Sequence, residues 1–169
     1  MSGIIDSAGS NATRAAGEAL GRVVSPGDVI VLTGDLGAGK TVLAKGVADG
    51  LGVAEEVTSP TFNILIVHRG RLELAHFDLY RLEREDQLED LDFWGVLESG
   101  AVCLIEWGDR FPQALPADVL SVALHISGDE SRTISVTPSG PVSAARASKW
   151  LAACDAIASL VVVGGKGGR

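Results

Sequence analysis

Residues 34–41 read Gly-Asp-Leu-Gly-Ala-Gly-Lys-Thr and fit the phosphate-binding pattern G-x-x-x-x-G-K-[ST] at every fixed position. Glycines let a backbone fold into a cup whose N–H groups point inward, and such a cup binds anions. The pattern places Lys40 to reach the β- and γ-phosphates of a nucleotide and Thr41 to give its hydroxyl to Mg²⁺. A glycine-rich turn that happens to carry a lysine is the alternative. The nucleotide contacts predicted for this stretch, called the glycine loop below, come from Asp35, Leu36, Gly37, Ala38, Gly39, Lys40 and Thr41.

The segments on either side of the glycine loop are those that a P-loop requires. Residues 28–33 form an apolar run of strand length after the turn signal Ser-Pro-Gly at 25–27. Such a run suits a central parallel strand that is covered on both faces. Residues 41–51 then place apolar side chains at helical spacing, with glycine at 50 and 52 as stop signals. The pattern predicts strand, loop and helix in that order, as part of an α/β domain.

A second chemical signal is the unbroken apolar run at 101–105 that ends in Glu106. This is how a Walker B strand looks, although Asp is the usual residue at the metal position. The Glu106 carboxylate is expected to emerge beside the glycine loop, where it could bind Mg²⁺ or orient and deprotonate the attacking water. An ordinary core strand that ends in a solvent-facing acid is the alternative.

The segments 62–69 and 71–78 are predicted to form a hairpin that turns at Gly70. Strict alternation in the second strand puts His76 and Asp78 on one buried face, near the strand end where open α/β sheets place their ligands. Taken alone, His76 reads as a core histidine. A functional role is better supported for Asp78, because a buried carboxylate must be paired, hydrogen-bonded or bound to a metal. In the preceding polar turn, Thr61 is either a simple loop residue or a switch residue that faces the γ-phosphate.

Length and composition favour one globular domain with an acidic surface. The chain has 169 residues, 46% of them hydrophobic, and a formal net charge of −8. This charge opposes unaided binding to nucleic acid. Residues 83–92 contain six acids and one arginine, and we interpret them as a solvated helical face, with a docking surface for a basic partner as the alternative. The sequence shows neither a leader segment nor a membrane-spanning run, which predicts a cytoplasmic protein.

The C-terminal part of the chain is predicted to lie outside the core domain. A second hairpin is expected from 119–126 and 132–136, followed by a boundary at Pro-Ser-Gly-Pro, residues 138–141. We therefore divide the chain into a P-loop ATPase domain at 1–138 and an extension at 139–169. The extension is expected to be helical over 143–163 and disordered in its glycine-rich end.

Four motifs together resemble the TsaE family, also called YjeE, of small P-loop ATPases in bacterial tRNA threonylcarbamoyladenosine biosynthesis. They are the glycine loop, Ser-Pro-Thr-Phe at 59–62, His-Phe-Asp-Leu-Tyr-Arg at 76–81 and Ile-Glu-Trp at 105–107. The resemblance covers roughly residues 10–138. It implies Thr41 and Glu106 at Mg²⁺, Thr61 in a switch loop, and Asp78 as an essential acid. It also implies ATP as the nucleotide and two protein partners, TsaD and TsaB, through which tRNA is reached indirectly.

The hypothesis is an α/β protein with a mostly parallel central sheet, flanking helices and antiparallel hairpin additions, which hydrolyses ATP. Lys40, Asp78 and Glu106 are its candidate catalytic residues, with Glu106 or Asp78 orienting water. Two rivals remain: a small-molecule kinase, for which no arginine-rich acceptor cluster is apparent, and a nucleotide-sensing module that barely hydrolyses. The guanine-reading motif Asn-Lys-x-Asp is absent from the sequence.

Overall fold

All regular strands of the described chain belong to one mixed sheet. The computed structural model of the protein describes residues 1–60 and 63–164. Within these residues the strand order is β3-β4-β5-β2-β6-β7-β1-β8. The strands are β1 Gly3–Ser7, β2 Val29–Thr33, β3 Leu65–Arg69, β4 Glu73–Asp78, β5 Val102–Glu106, β6 Leu120–Ile126, β7 Arg132–Pro138 and β8 Leu160–Val163.

The four strands at the centre of the sheet run parallel. The pairs β4–β5, β5–β2 and β2–β6 are parallel, whereas β3, β7, β1 and β8 pair with their neighbours in the antiparallel direction. Both predicted hairpins, β3–β4 and β6–β7, are present. The α/β prediction of a parallel centre with antiparallel additions is confirmed, and the carboxyl ends of β2, β4 and β5 meet at one edge.

Two hydrophobic clusters cover the two faces of the sheet. The larger cluster packs helices α1 (Ser10–Val23), α2 (Lys40–Gly50) and α4 (Pro141–Asp155) against one face. The smaller one packs α3 (Phe93–Glu98) and short 3₁₀ segments against β2, β4 and β5 on the other. Because successive residues of a strand face opposite sides, β2, β4 and β5 contribute to both clusters, whereas the buried apolar residues of β6 belong to the larger one.

Helix α2, which begins at the glycine loop, lies unusually close to α1. A Cβ atom added at Gly46 would lie 2.1 Å from the backbone oxygen of Arg14, and one added at Gly17 would lie 2.3 Å from that of Leu43. Real Cβ atoms do not approach backbone oxygens so closely, so only glycine permits this contact. The glycine pair thereby fixes the position of α2 relative to the rest of the domain.

The hydrophobic core extends beyond residue 138, where the sequence analysis ended it. Trp150 of α4 is fully buried and its Nε1 donates to the backbone oxygen of Ala16 at 2.8 Å. The Arg146 guanidinium forms a buried ion pair with Asp28 at 2.5 Å. After α4 the chain forms β8, which pairs with β1 at the edge of the sheet, so the helix expected over 143–163 is a helix and a strand. The glycine-rich end at 165–169 lies outside the described residues.

The acidic stretch 83–92 is not one helical face. Its residues Glu85–Leu91 form a 3₁₀ segment, and Asp92, with φ 50°, separates this segment from α3. A left-handed residue at that point ends one helix and starts the next, which the charge pattern does not reveal. No helix in the described part of the chain is long and apolar enough to cross a membrane.

Candidate active site

The glycine loop joins β2 to α2 in a conformation that depends on its glycines. Gly34, Gly37 and Gly39 have φ values of 148°, 82° and 103°, which side-chain-bearing residues rarely adopt. A Cβ at Gly34 would also lie 2.8 Å from the backbone oxygen of Leu124 on β6. The loop therefore curls tightly against the sheet, with Ala38 buried and Leu36 at its tip 96% exposed.

Lys40 points into the glycine loop. Although it carries a charge, this residue is only 8% exposed. Its Nζ donates to the backbone oxygens of Gly34 and of Asp35, the latter at 3.1 Å, and lies 5.2 Å from the centre of the Trp107 ring. Thr41 follows in the first turn of α2 and is partly buried. The structure thus places an ammonium group inside the loop, as the motif predicts.

The two candidate acids lie next to each other at the carboxyl edge of the sheet. In the parallel β4–β5 pair, Asp78 is the register partner of Glu106, and on its other side Glu106 is the register partner of Leu32 on β2. Leu32 belongs to the cluster beneath α1 and α2, so Glu106 and Asp78 lie on the face that α2 covers. Glu106 is buried, and its Oε2 is 2.8 Å from Nε2 of the fully buried His76. Sequence reasoning treated this histidine as core packing and missed its partner.

Asp78 is electrostatically linked to the other site residues. Partial burial raises the pKa of its carboxyl, and the charge of Glu106 raises it further. A hydrogen bond from the backbone N–H of Tyr80, at 3.1 Å to Oδ1, acts in the opposite direction, as do His76 and Lys40. Lys40, Asp78 and Glu106 are thus brought together as predicted. Thr61, the predicted switch residue, lies outside the described residues.

Sequence reasoning missed Arg132, the first residue of β7. Its guanidinium donates from Nε to the backbone oxygen of Ala38 at 3.0 Å and from Nη2 to that of Gly37 at 3.2 Å. These bonds turn two carbonyl groups of the glycine loop toward the β6–β7 hairpin. They also place Arg132 at a cavity of about 490 Å³ between the loop and the start of α1. No spacing rule connects residues 132 and 38, so the sequence carried no signal for this contact.

Trp107 directly follows Glu106 and adopts the left-handed conformation with φ 61°. For a bulky aromatic residue this backbone is strained, and such residues concentrate at functional sites. Its ring lies 5.0 Å from the ring of Tyr80, whose backbone oxygen accepts a hydrogen bond from Arg110. The Trp107 ring therefore borders the ammonium group of Lys40, and Tyr80 packs against that ring.

These features define a small single-sheet α/β protein in which a lysine-bearing glycine loop faces two acids at the carboxyl edge of parallel strands. The family model for the threonylcarbamoyl adenosine biosynthesis protein TsaE matches residues 7–134. The chain belongs to the TsaE family, which confirms the resemblance seen in its motifs, and its role lies in tRNA threonylcarbamoyladenosine biosynthesis.

Named relatives agree with this assignment. The tRNA threonylcarbamoyladenosine biosynthesis protein TsaE of Treponema pallidum is 43% identical over 120 residues, 71% of this chain and 89% of the relative. The protein of the same name from Bacillus subtilis is 41% identical over 129 residues, 76% of this chain and 80% of the relative. The crystal structure of Bacillus subtilis YdiB superposes with a TM-score of 0.76 at 30% identity, covering 89% of this chain and 94% of YdiB. Helix α4 and strand β8 lie beyond the residues that the family model matches.

Proposed function

We propose that this protein binds ATP with Mg²⁺ in the glycine loop and hydrolyses it as an accessory step in the threonylcarbamoyl modification of adenosine in tRNA. The observation that carries the proposal is the convergence of Lys40, Asp78 and Glu106 at one edge of the sheet. A cation inside an anion-binding loop, with two acids facing it, is the arrangement that phosphoryl transfer to water requires.

The position of the Lys40 ammonium group supports phosphate binding in the glycine loop. Its ammonium group is already drawn into the loop, where two backbone oxygens receive its hydrogen bonds. Phosphate oxygens are stronger acceptors than these carbonyl groups, because they carry a negative charge opposite to that of the ammonium group. Lys40 would exchange the carbonyl groups for the β- and γ-phosphates, while the N-terminal N–H groups of the 11-residue helix α2 face the same oxygens.

The residues present fit a magnesium ion that arrives with the nucleotide. No group of three or more His, Cys, Asp or Glu side chains in residues 1–60 and 63–164 could hold a metal on its own. Mg²⁺ in nucleotide sites usually takes only one or two protein ligands besides phosphate oxygens and water. Thr41 and Glu106 would supply them. The ion would neutralise charge on the transferring phosphoryl group.

The two acids differ in a way that suggests separate roles. Glu106 is buried and held by a hydrogen bond, which suits a fixed partner of the metal or of its water. Asp78 is more accessible, and burial raises the pKa of its carboxyl, which suits a proton acceptor. We therefore assign the orientation of the attacking water to Asp78, in line with its expected role as an essential acid.

The activity is proposed to depend on the protein partners TsaD and TsaB. The relatives carry the name of a biosynthesis protein for a modified tRNA nucleoside, and that modification needs a transferase and bound tRNA. The net charge of −8 opposes direct binding to tRNA, so contact with the nucleic acid is assigned to the partners.

Phosphate release by matched lysine variants tests the site. Lys40→Ala should reduce release from Mg·ATP to background, because a charged contact to the transferring group is lost. Lys45→Ala is the control: this lysine lies on the same helix but pairs with Glu56 at 3.8 Å. Its release should match that of the unchanged protein. Near-normal release from Lys40→Ala would contradict the site, and binding without any release in the unchanged protein would favour the nucleotide-sensing alternative.

A further inference from the structure

The buried ring of His76 has a specific partner at the candidate active site. Its Nε2 lies 2.8 Å from Oε2 of Glu106, and the two side chains are 0% and 4% exposed. We propose that His76 is a positioning residue, which holds the Glu106 carboxylate in the orientation needed for Mg²⁺ and its water. This inference rests on the function proposed above, and it adds a residue that orients one of the proposed magnesium partners.

Strand register explains why a histidine at position 76 can reach the Glu106 carboxylate. His76 is the register partner of Leu104, so Glu106 lies two residues further along β5, on the same face of the sheet. Diagonal neighbours of this kind are within reach of a long side chain. The position directly opposite Glu106 is occupied by Asp78, which leaves His76 as the neighbour that supports the carboxylate from the interior.

Burial gives the hydrogen bond its importance. A carboxylate without contact to water needs a donor, since an unpaired buried charge is costly. Glu106 is 4% exposed in its side chain, and His76 Nε2 occupies one of its two oxygens. The bond thereby fixes the carboxylate rotation and leaves Oε1 for another partner. Without the donor, the buried group would turn toward water or toward Lys40.

The second ring nitrogen indicates the direction of the bond. Nδ1 of His76 is buried and has no hydrogen-bond partner in the described part of the chain. A ring that carries its proton on Nε2 leaves only a lone pair unpaired at Nδ1, whereas the other neutral tautomer would bury an unpaired N–H there. An unpaired donor is the costlier defect. We therefore infer that Nε2–H donates to the Glu106 carboxylate.

The chain offers a close control for a purely structural role. His68 on the adjacent strand β3 is also buried, pairs with a glutamate through Nδ1 at 2.7 Å to Glu55, and has an unpartnered buried nitrogen. Its register partner is Leu74, four residues before the end of β4 that carries Asp78. His68→Leu should thus reproduce the loss of a buried histidine pair without affecting the carboxyl edge of the sheet.

The test compares His76→Leu, His76→Gln and His68→Leu for turnover of Mg·ATP and for binding of a fluorescent ATP analogue across a magnesium titration. His76→Leu should lower kcat and raise the magnesium midpoint of binding, each by about 10- to 100-fold, as the loss of a residue behind a metal ligand does. Binding of the analogue without magnesium should stay within about twofold, because the glycine loop and Lys40, which would hold the phosphates, are unchanged in this variant. His76→Gln retains an N–H donor and should recover most of both losses, and His68→Leu should change neither.

A different pattern would overturn the inference. If the two leucine variants lose stability alike, and His76→Leu keeps the kcat and magnesium midpoint of the unchanged protein, His76 only packs the core. Failure of glutamine to recover what leucine loses would also contradict the hydrogen-bonding role. An unchanged protein that binds Mg·ATP without hydrolysing it contradicts the proposed function alone, because the magnesium midpoint of the variants still decides the role of His76.

Discussion

Asp78 and Glu106 are register partners on neighbouring parallel strands, at the edge of the sheet that the glycine loop faces. Both lie on the face covered by α2, so two carboxyl groups share one small region with Lys40. Partial burial raises the pKa of the Asp78 carboxyl, and the nearby charge of Glu106 raises it further. A bound metal ion, or a proton taken up by one of the two acids, would relieve the repulsion between the carboxylates.

Replacement of Asp78 by Asn should separate hydrolysis from binding. Turnover is expected to fall by about 100-fold or more, since general base catalysis contributes that much. Equilibrium binding of Mg·ATP should change by less than about tenfold, because Lys40 and the loop remain. Asp109→Asn, at an exposed position near the same edge, is the control and should retain turnover. Equal losses of binding and turnover in Asp78→Asn would make Asp78 structural.

The same variant should be more stable than the unchanged protein at neutral pH. A carboxyl whose pKa is raised by folding favours the folded state when protonated, and this contribution is lost as the pH rises through the raised pKa. Asn mimics the protonated form at every pH. Its advantage in the free energy of unfolding should therefore be present at pH 7 and disappear below the ordinary pKa of 3.8. Chemical unfolding at both pH values measures this, and a variant less stable at pH 7 would contradict it.

Arg132 should matter for nucleotide affinity although it lies far from the motif in sequence. Arg132→Gln removes the donors to Gly37 and Ala38, and a loop free to rotate these carbonyl groups inward should bind ATP about tenfold more weakly. Arg69→Gln removes an equal charge from an exposed arginine on β3 and serves as the control. Matching affinities for the two variants would show that Arg132 does not hold the loop.

The close contact of α1 and α2 predicts a large difference between two glycine substitutions. Gly46→Ala would force a methyl group onto the backbone oxygen of Arg14, so the helices must separate, at an expected cost of about 1–3 kcal/mol or more in unfolding free energy. Gly9→Ala meets no atom within 4 Å, and its change should stay within about 1 kcal/mol, the usual loss when alanine replaces a better N-cap residue of a helix such as α1. Urea unfolding of both variants measures the difference. Similar small effects would mean that α1 can move away at little cost.

The chain after residue 138 should be required for stability. Trp150→Ala removes a fully buried ring and its hydrogen bond to Ala16, and should cost about 3–5 kcal/mol. Trp94→Ala, at a partly exposed tryptophan on α3, should cost less than about 1 kcal/mol. Thermal or chemical unfolding provides the comparison. If Trp150→Ala unfolds like the unchanged protein, α4 is not part of the cooperative core.

The sequence predicts those features that are encoded locally. The apolar run before the glycine loop, the helix after it and both hairpins are read from periodicity and turn residues, and the structure contains each of them. The positions of Lys40, Asp78 and Glu106 follow from the rule that parallel strands place their carboxyl ends at one edge. Motifs of this kind leave little room for a different arrangement.

Contacts between distant parts of the chain were not predictable in the same way. Strand β1 is five residues long and was missed, because its pairing with β7 and β8 depends on residues more than 100 positions away. The end of the core was placed at 138 for a similar reason: the Pro-Ser-Gly-Pro turn reads as a boundary, while the ion pair of Arg146 with Asp28 is invisible in the sequence. The hydrogen bond between His76 and Glu106 and the bonds from Arg132 to the glycine loop are also contacts between distant residues, and they were not predicted for the same reason.

Phosphate release from Mg·ATP, measured with the purified protein alone and again with its cognate TsaD and TsaB proteins, tests the central claim most directly. Lys40→Ala under both conditions provides the background. We predict slow release by the protein alone, a clear rise when the partners are added, and no rise for Lys40→Ala. Release that is unaffected by the partners, together with no binding to them, would contradict the proposal that this ATPase acts within a tRNA-modifying complex.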